Sequence, residues 1–231
     1  MQKNYYKFKL TRSISKKILN LQRIISPKNF IAHHGIERSG TNFLRACLLY
    51  SGVKLINKFD PKEGSPGHKH FRWYKNKALI PDFREEFKNN VIVENIESLN
   101  LLCSYPKNTK HIIIKKERND AIVSLANFGI RNGWFKDNDE ALNSLDFIAK
   151  DYDNYYDFWI DMSRKNSKNV QIIKYESLVE SSETLRKALI ELNIPIKKCF
   201  PDKFSFQEVY HSPRNRKVFL EHDEVLKYLS S

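Results

Sequence analysis

Apolar residues along this chain repeat at two spacings, one of two residues and one of three to four, and the two alternate from end to end. Phe30-Ile31-Ala32 is a compact apolar run ahead of a glycine-bearing loop and predicts a buried strand. From Thr41 to Tyr50 the positions Phe43, Leu44, Cys47 and Leu48 keep a helical spacing, and Ser51-Gly52 ends it. Residues 53–56 alternate and predict a second strand; residues 58–68, rich in Pro and Gly, predict a loop. The runs VIV at 91–93 and HIII at 111–114 read as strands, and the second feeds a helix marked by Ala121, Leu125 and Phe128. The strongest helical stripe covers 138–164, through Leu142, Leu145, Ala149, Tyr152, Tyr156, Trp159, Ile160 and Met162. VQIIKY at 170–175 predicts a strand, and Ser181 and Ser182 stand where they can cap a helix carrying Leu185, Ala188, Leu189 and Leu192, closed near Pro195. Strands alternating with helices predict an α/β domain with a central, mainly parallel sheet flanked by helices. The glycine loop then falls at the carboxyl end of the first strand, where open sheets of this kind bind ligands.

Composition narrows the partners. The 231 residues suffice for one sizeable domain, and 41% hydrophobic with 13% aromatic residues argues for a packed core. A formal net charge of +13 points to anionic ligands: nucleotides, sulfated or phosphorylated molecules, nucleic acid or lipid headgroups. Cys47, Cys103 and Cys199 are scattered and odd in number, which fits a reducing, cytoplasmic setting and offers no metal-ligand spacing. No apolar run reaches the roughly 20 residues of a spanning helix, and the first ten residues lack a signal-peptide core. Leu10, Ile14, Ile18, Leu21 and Ile25 form a stripe with Arg12, Lys16, Lys17 and Arg23 between them. We therefore divide the chain into a basic helical extension, 1–28, and a single domain, 29–231. The extension either packs on its own domain or makes weak membrane-surface contact through residues 10–25, leaving the protein peripheral at a membrane.

The loop carries the chemistry. Gly35 and Gly40 have the spacing of a phosphate-binding P-loop, but Thr41 and Asn42 follow where that motif has Lys and Ser/Thr. Backbone N–H groups and a helix N-terminus still make an anion site; Ser39 and Thr41 add hydroxyls and Arg38 a fixed charge. What is lost is triphosphate–magnesium chemistry. Arg38-Ser39-Gly40-Thr41-Asn42-Phe43-Leu44 resembles the 5′-phosphosulfate loop of the sulfotransferases that use 3′-phosphoadenosine 5′-phosphosulfate. That resemblance implies a three-layer P-loop-like fold, a donor cradled by Arg38, Ser39, Gly40, Thr41 and Asn42, Phe43 against the adenine, and no metal. In the family a strand runs into R-x-P-x-D-x-x-x-S, whose Arg and Ser bind the 3′-phosphate. Here Asp120 and Ser124 keep the spacing, Lys116 stands at the arginine position and Arg118 at the proline position, so either cation can serve. IIKYESL, 172–178, resembles the family's strand-plus-helix ending in Tyr-Glu-Asp-Leu, with Ser177 for Asp; Tyr175 and Glu176 read as structural.

Sulfuryl transfer to a hydroxyl needs a base and cations at the departing phosphate. By resemblance to branches with K-x-H or K-H here, GHKHFRW at 67–73 offers His70 as base and Lys69 as a cation near the sulfuryl group, with Arg38 on the leaving phosphate. His68 competes locally, and Glu94 or Glu97 is the reserve, as other branches use glutamate. Arg214, Arg216 and Lys217 match a basic loop that closes over the 3′-phosphate in several members, while His33 and His34 read as strand-end structure. The resemblance makes the partner a small-molecule or glycan hydroxyl acceptor, with no nucleic acid. Two other readings stay open: a P-loop kinase-like phosphotransferase, which requires the missing lysine, and a basic nucleic-acid-binding protein, for which no motif stands out.

Overall fold

The computed structural model describes residues 18, 21, 30–59, 62, 64–73, 93–196, 199–205 and 218–229. Four strands form one sheet: β1 (Phe30–His34), β2 (Lys54–Leu55), β3 (Lys110–Lys115) and β4 (Val170–Lys174). Their order is β2-β1-β3-β4 and every pairing is parallel. The helices between and after them are α1 (Thr41–Tyr50), α2 (Ile96–Leu102), α3 (Arg118–Arg131), α4 (Asn138–Asn143), α5 (Leu145–Lys165), α6 (Tyr175–Glu180), α7 (Glu183–Glu191) and α8 (His222–Leu229).

Both sheet faces are covered, because successive strand side chains point to opposite sides. Ile112 and Ile114 pack with Leu44 and Leu48 of α1 and Leu185 and Leu189 of α7. Ile113 between them joins the other core, with Ile122 and Leu125 of α3 and Tyr156 and Trp159 of α5. Parallel pairing demands crossovers, and here they diverge: β1 leads through α1 to β2 on one side, and β3 leads through α3 to α5 toward β4 on the other. The loops leaving β1 and β3 therefore part from each other and open a crevice at the carboxyl ends of these neighbours.

Several element expectations need correction. The second strand shrinks to two residues at the sheet edge. Val93 is buried but not in a strand, and 91–92 lie outside the described residues. The long helix is two, because Asp137 caps the first through Glu140 N–H (2.9 Å) and Ser144, whose hydroxyl donates to Glu140 C=O (2.8 Å), turns the chain into the second. The last strand stops at Lys174, and Tyr175 opens a helix. Ser181, not Ser182, accepts the Glu183 N–H (3.2 Å); the Ser182 hydroxyl donates to Pro201 C=O instead. Of the extension's stripe only Ile18 and Leu21 are described, both exposed. Among the described residues no helix is long and apolar enough to cross a membrane.

The centre of the sheet holds a buried histidine relay. Asn100 donates both amide hydrogens, to Lys107 and Thr109 carbonyls, so its Oδ1 accepts from His111 Nε2–H (3.0 Å). His111 Nδ1 is then bare and accepts from His34 Nε2–H (3.0 Å), with Trp159 packed on His34 at 4.6 Å. Burial, and for His34 the neighbouring His111, push both pKa values down, that of His111 to about 3. Below the ordinary histidine value of 6.5 the unfolded chain binds more protons than the native one, so stability is full above that pH and lost as pH falls toward 3. For His111 alone the loss at about pH 5 is on the order of 2 kcal/mol. Urea midpoints at about pH 7.5 and 5 should differ accordingly; equal midpoints would contradict this account.

Candidate functional site

The loop from Gly35 to Gly40 is built by steric exclusion. A Cβ at Gly35 would meet Ser39 Oγ at 2.6 Å and Thr41 Cγ2 at 2.7 Å; one at Gly40 would meet the Tyr175 ring at 2.3 Å. Gly40 also takes φ 92°, a left-handed conformation that glycine adopts without strain, and Arg38 takes φ 67°. The tight turn is closed by Ser39, whose N–H (3.2 Å) and hydroxyl (2.7 Å) both donate to Ile36 C=O. Ser39 is fully buried, so its part is to shape the loop rather than to present a hydroxyl. Leu44 N–H makes the first helical bond, to Gly40 C=O, so the N–H groups of Thr41, Asn42 and Phe43 precede the ladder of α1 at its positive end.

A pocket of about 330 Å³ occupies the crevice. The loop and α1 contribute Glu37, Arg38, Gly40, Thr41 and Asn42; the turn after β3 contributes Lys116 and α3 contributes Ser124 and Phe128; His70 and Tyr175 complete the wall. The Arg38 guanidinium lies over the Phe128 ring, 5.6 Å from its centroid, and both side chains line the pocket. A second hollow of about 300 Å³ adjoins it, sharing Arg38 and Ser124 and adding Asn127, Arg131 and His222.

His70 is 9% exposed and its Nδ1 lies 2.6 Å from Gly35 C=O. A carbonyl only accepts, so Nδ1 carries the proton and Nε2 keeps its lone pair. Burial is the main reason its pKa falls to about 3; Lys69 and His68 push the same way, while Glu37 and the Gly35 bond oppose. His68 is occupied differently, its Nδ1 accepting from His70 N–H (3.3 Å), and it does not line the pocket. Lys69 is buried and does not line the pocket; its Nζ donates to Oδ1 of Asn42, which does (3.2 Å). Phe43 meets Tyr175 edge-on at 6.1 Å.

Lys116 and Arg118 part company here. Lys116 lines the pocket, with Nζ on Asp120 C=O (3.2 Å). Arg118 spends its fork on Asp153 through two 2.8 Å hydrogen bonds and does not line it, so the alternative phosphate role for Arg118 finds no support in its placement. Glu94 is exposed, and Glu97 pairs with Lys107 (3.4 Å) beside a different hollow, so neither reserve carboxylate reaches the site. Arg214, Arg216 and Lys217 lie outside the described residues. His33 and His34 are buried structure, as expected.

Three lining residues had no site role in the sequence: Glu37, Phe128, which reads only as a helix marker, and Tyr175, which reads as structural. Tyr175 follows directly on β4, and position at a strand's carboxyl end was the available signal. Phe128 lies one helical turn beyond Ser124 on the same face. Glu37 had no signal of its own. It is 5% exposed and held by Arg72 (2.8 Å), itself 1% exposed and bonded twice to Asp151 (3.1 and 2.6 Å) and once to His70 C=O (2.7 Å).

No protein-family model, curated protein or solved structure matches the chain.

Proposed function

We propose that the protein is a sulfotransferase of P-loop-like fold, moving a sulfuryl group from 3′-phosphoadenosine 5′-phosphosulfate to a hydroxyl, the acceptor being a carbohydrate by family analogy. The observation that carries the reading is one pocket joining a lysine-free anion loop to a buried, neutral histidine with a bare ring nitrogen. The Thr41, Asn42 and Phe43 N–H groups, with Arg38, would hold the 5′ phosphosulfate. Lys116 and Ser124 would take the 3′-phosphate; the adjoining hollow supports a ligand with two anionic ends, because it shares Ser124 and Arg38. Tyr175, which lines the pocket, would offer aromatic surface to the adenine, with Phe43 packed edge-on behind it rather than in the lining.

In the reaction the acceptor oxygen bonds to sulfur as the bond from sulfur to the bridging phosphate oxygen breaks. His70 Nε2 takes the acceptor proton, Arg38 meets the charge that develops on the departing phosphate, and Lys69 is the cation near the sulfuryl group. None of these roles requires a metal ion. We take the reaction to be cytoplasmic, in keeping with three unbridged cysteines.

Calorimetric titration tests the donor site. Without magnesium, 3′-phosphoadenosine 5′-phosphate should bind, Arg38→Ala should weaken it by roughly 10- to 100-fold, the loss of a charged hydrogen-bonding partner, and Ser124→Ala by less. Silence toward the bisphosphate would overturn the reading, and binding of ATP with magnesium in its place would favour a phosphotransferase.

A further inference from the structure

Glu37 is an acid placed inside a pocket otherwise furnished for anions. Its neighbours in the loop bear on the ligand through backbone or cationic groups, yet its carboxylate is buried and shares the pocket wall with His70. The connection runs through Arg72. One guanidinium nitrogen, Nη1, contacts both Glu37 Oε2 (2.8 Å) and the carbonyl of His70 (2.7 Å), while Nε and Nη2 are fixed on Asp151 of α5. The Tyr155 ring lies 5.6 Å from the same guanidinium and its hydroxyl donates to Lys69 C=O (3.2 Å). Loop, histidine segment and helix are thus locked at fixed distances from one another. Arginine is suited to this, since its planar fork satisfies two partners without moving.

We propose that Glu37 is a positioning residue for His70: its carboxylate, set in place by Arg72, stabilises the imidazolium that forms when His70 accepts a proton in the pocket. The inference rests on the reading of His70 as the proton acceptor. The proton leaves the acceptor hydroxyl and forms the Nε2–H bond; the Nδ1–H stays on Gly35 C=O, and Glu37 remains ionised throughout. The charged or titratable groups around the ring are Glu37 from the loop after β1, His34 from β1, Lys69 and His68 from its own segment, and Arg72, whose Nη1 reaches the His70 carbonyl (2.7 Å). Of these only Glu37 is negative, and it is the largest influence opposing burial. Lys69 and the histidines work against the charged ring, so without Glu37 the imidazolium would face burial with only the Gly35 carbonyl in its favour.

The test is a double-mutant cycle between Glu37→Gln and His70→Gln, read as single-turnover release of sulfate from the donor, with water as acceptor, and as bisphosphate affinity by calorimetry. Glu37→Gln should slow turnover at least about tenfold, with bisphosphate affinity unchanged or improved, and should do nothing further in the His70→Gln background. Glu37→Asp should recover part of the rate. Equal slowing in both backgrounds, or an unchanged rate, would overturn the inference while leaving the donor site standing. If the wild-type protein binds no bisphosphate, the functional reading fails and the pair is judged in the free protein. Diethyl pyrocarbonate acylates His70 Nε2 in proportion to its basicity, so the modification rate should fall in Glu37→Gln; an unaltered rate would sink the coupling on its own.

Discussion

His70→Gln is expected to slow the proposed sulfuryl transfer by roughly 10²- to 10⁴-fold while bisphosphate affinity stays within about twofold. The argument is geometric. Gly35 C=O fixes the ring through Nδ1–H, so Nε2 is the nitrogen with a lone pair, and glutamine has nothing equivalent to receive a proton. The histidine is not part of the anion cradle, which is why affinity should survive. Its pKa of about 3 keeps it neutral across the working range, so the acid limb of the rate should lie well below the usual histidine value of 6.5. A donor in the pocket adds negative charge beside the ring and raises its proton affinity when the proton must move. Rapid-quench measurement of one turnover reads the effect. Loss of rate and affinity together, or a full rate in the variant, would remove His70 from the chemistry.

Arg72→Met should cost about 3–5 kcal/mol of folding stability, the penalty for leaving buried charge without its partner. Arg72 and Asp151 are both fully buried at the side chain, and the ion pair of 2.6 Å is reinforced by a second hydrogen bond of 3.1 Å. Methionine fills much of the volume, so the loss is electrostatic rather than a cavity. Adding Asp151→Leu to the variant should recover part of the loss by removing one stranded carboxylate. Urea denaturation followed by far-ultraviolet circular dichroism measures both. A single variant within about 1 kcal/mol of the wild type would show the network to be dispensable.

The legible parts of this protein are those that short-range rules govern. HIII and the Phe30 run announced strands because both faces of the sheet are covered and the stretches 112–114 and 30–32 are apolar throughout. The glycine loop was readable because the spacing of Gly35 and Gly40 is itself a local pattern, although the side chains they make room for include the distant Ile114 and Tyr175. The long amphipathic stripe was readable as helix but not as two helices, since the break at Ser144 lies in hydrogen bonds that leave the apolar spacing intact. The site was readable up to the point where partners come from distant segments. Lys116 and Arg118 look equivalent two residues apart; Asp153, on another helix, decides which of them faces the pocket. His68 and His70 were separable only through the Gly35 carbonyl and the pocket wall. Glu37 and Arg72 had no legible role because their significance is a contact between segments that sequence spacing does not express.

The pairing of β1 with β3 has a consequence for how the pocket comes into being. Ile31 is held by Lys110 and His34 by Ile113, so the strand that presents the loop is fastened on its inner side by residues made much later during synthesis. Its earlier partner, β2, supplies only two residues. Until β3 has emerged, the nascent loop has no floor, and Tyr175, against which Gly40 is fitted, comes later still. Contacts of such long sequence separation close slowly. The local helices should therefore form first and the crevice last, and a ribosome-bound chain stopped short of β4 should present the loop sequence without the pocket around it.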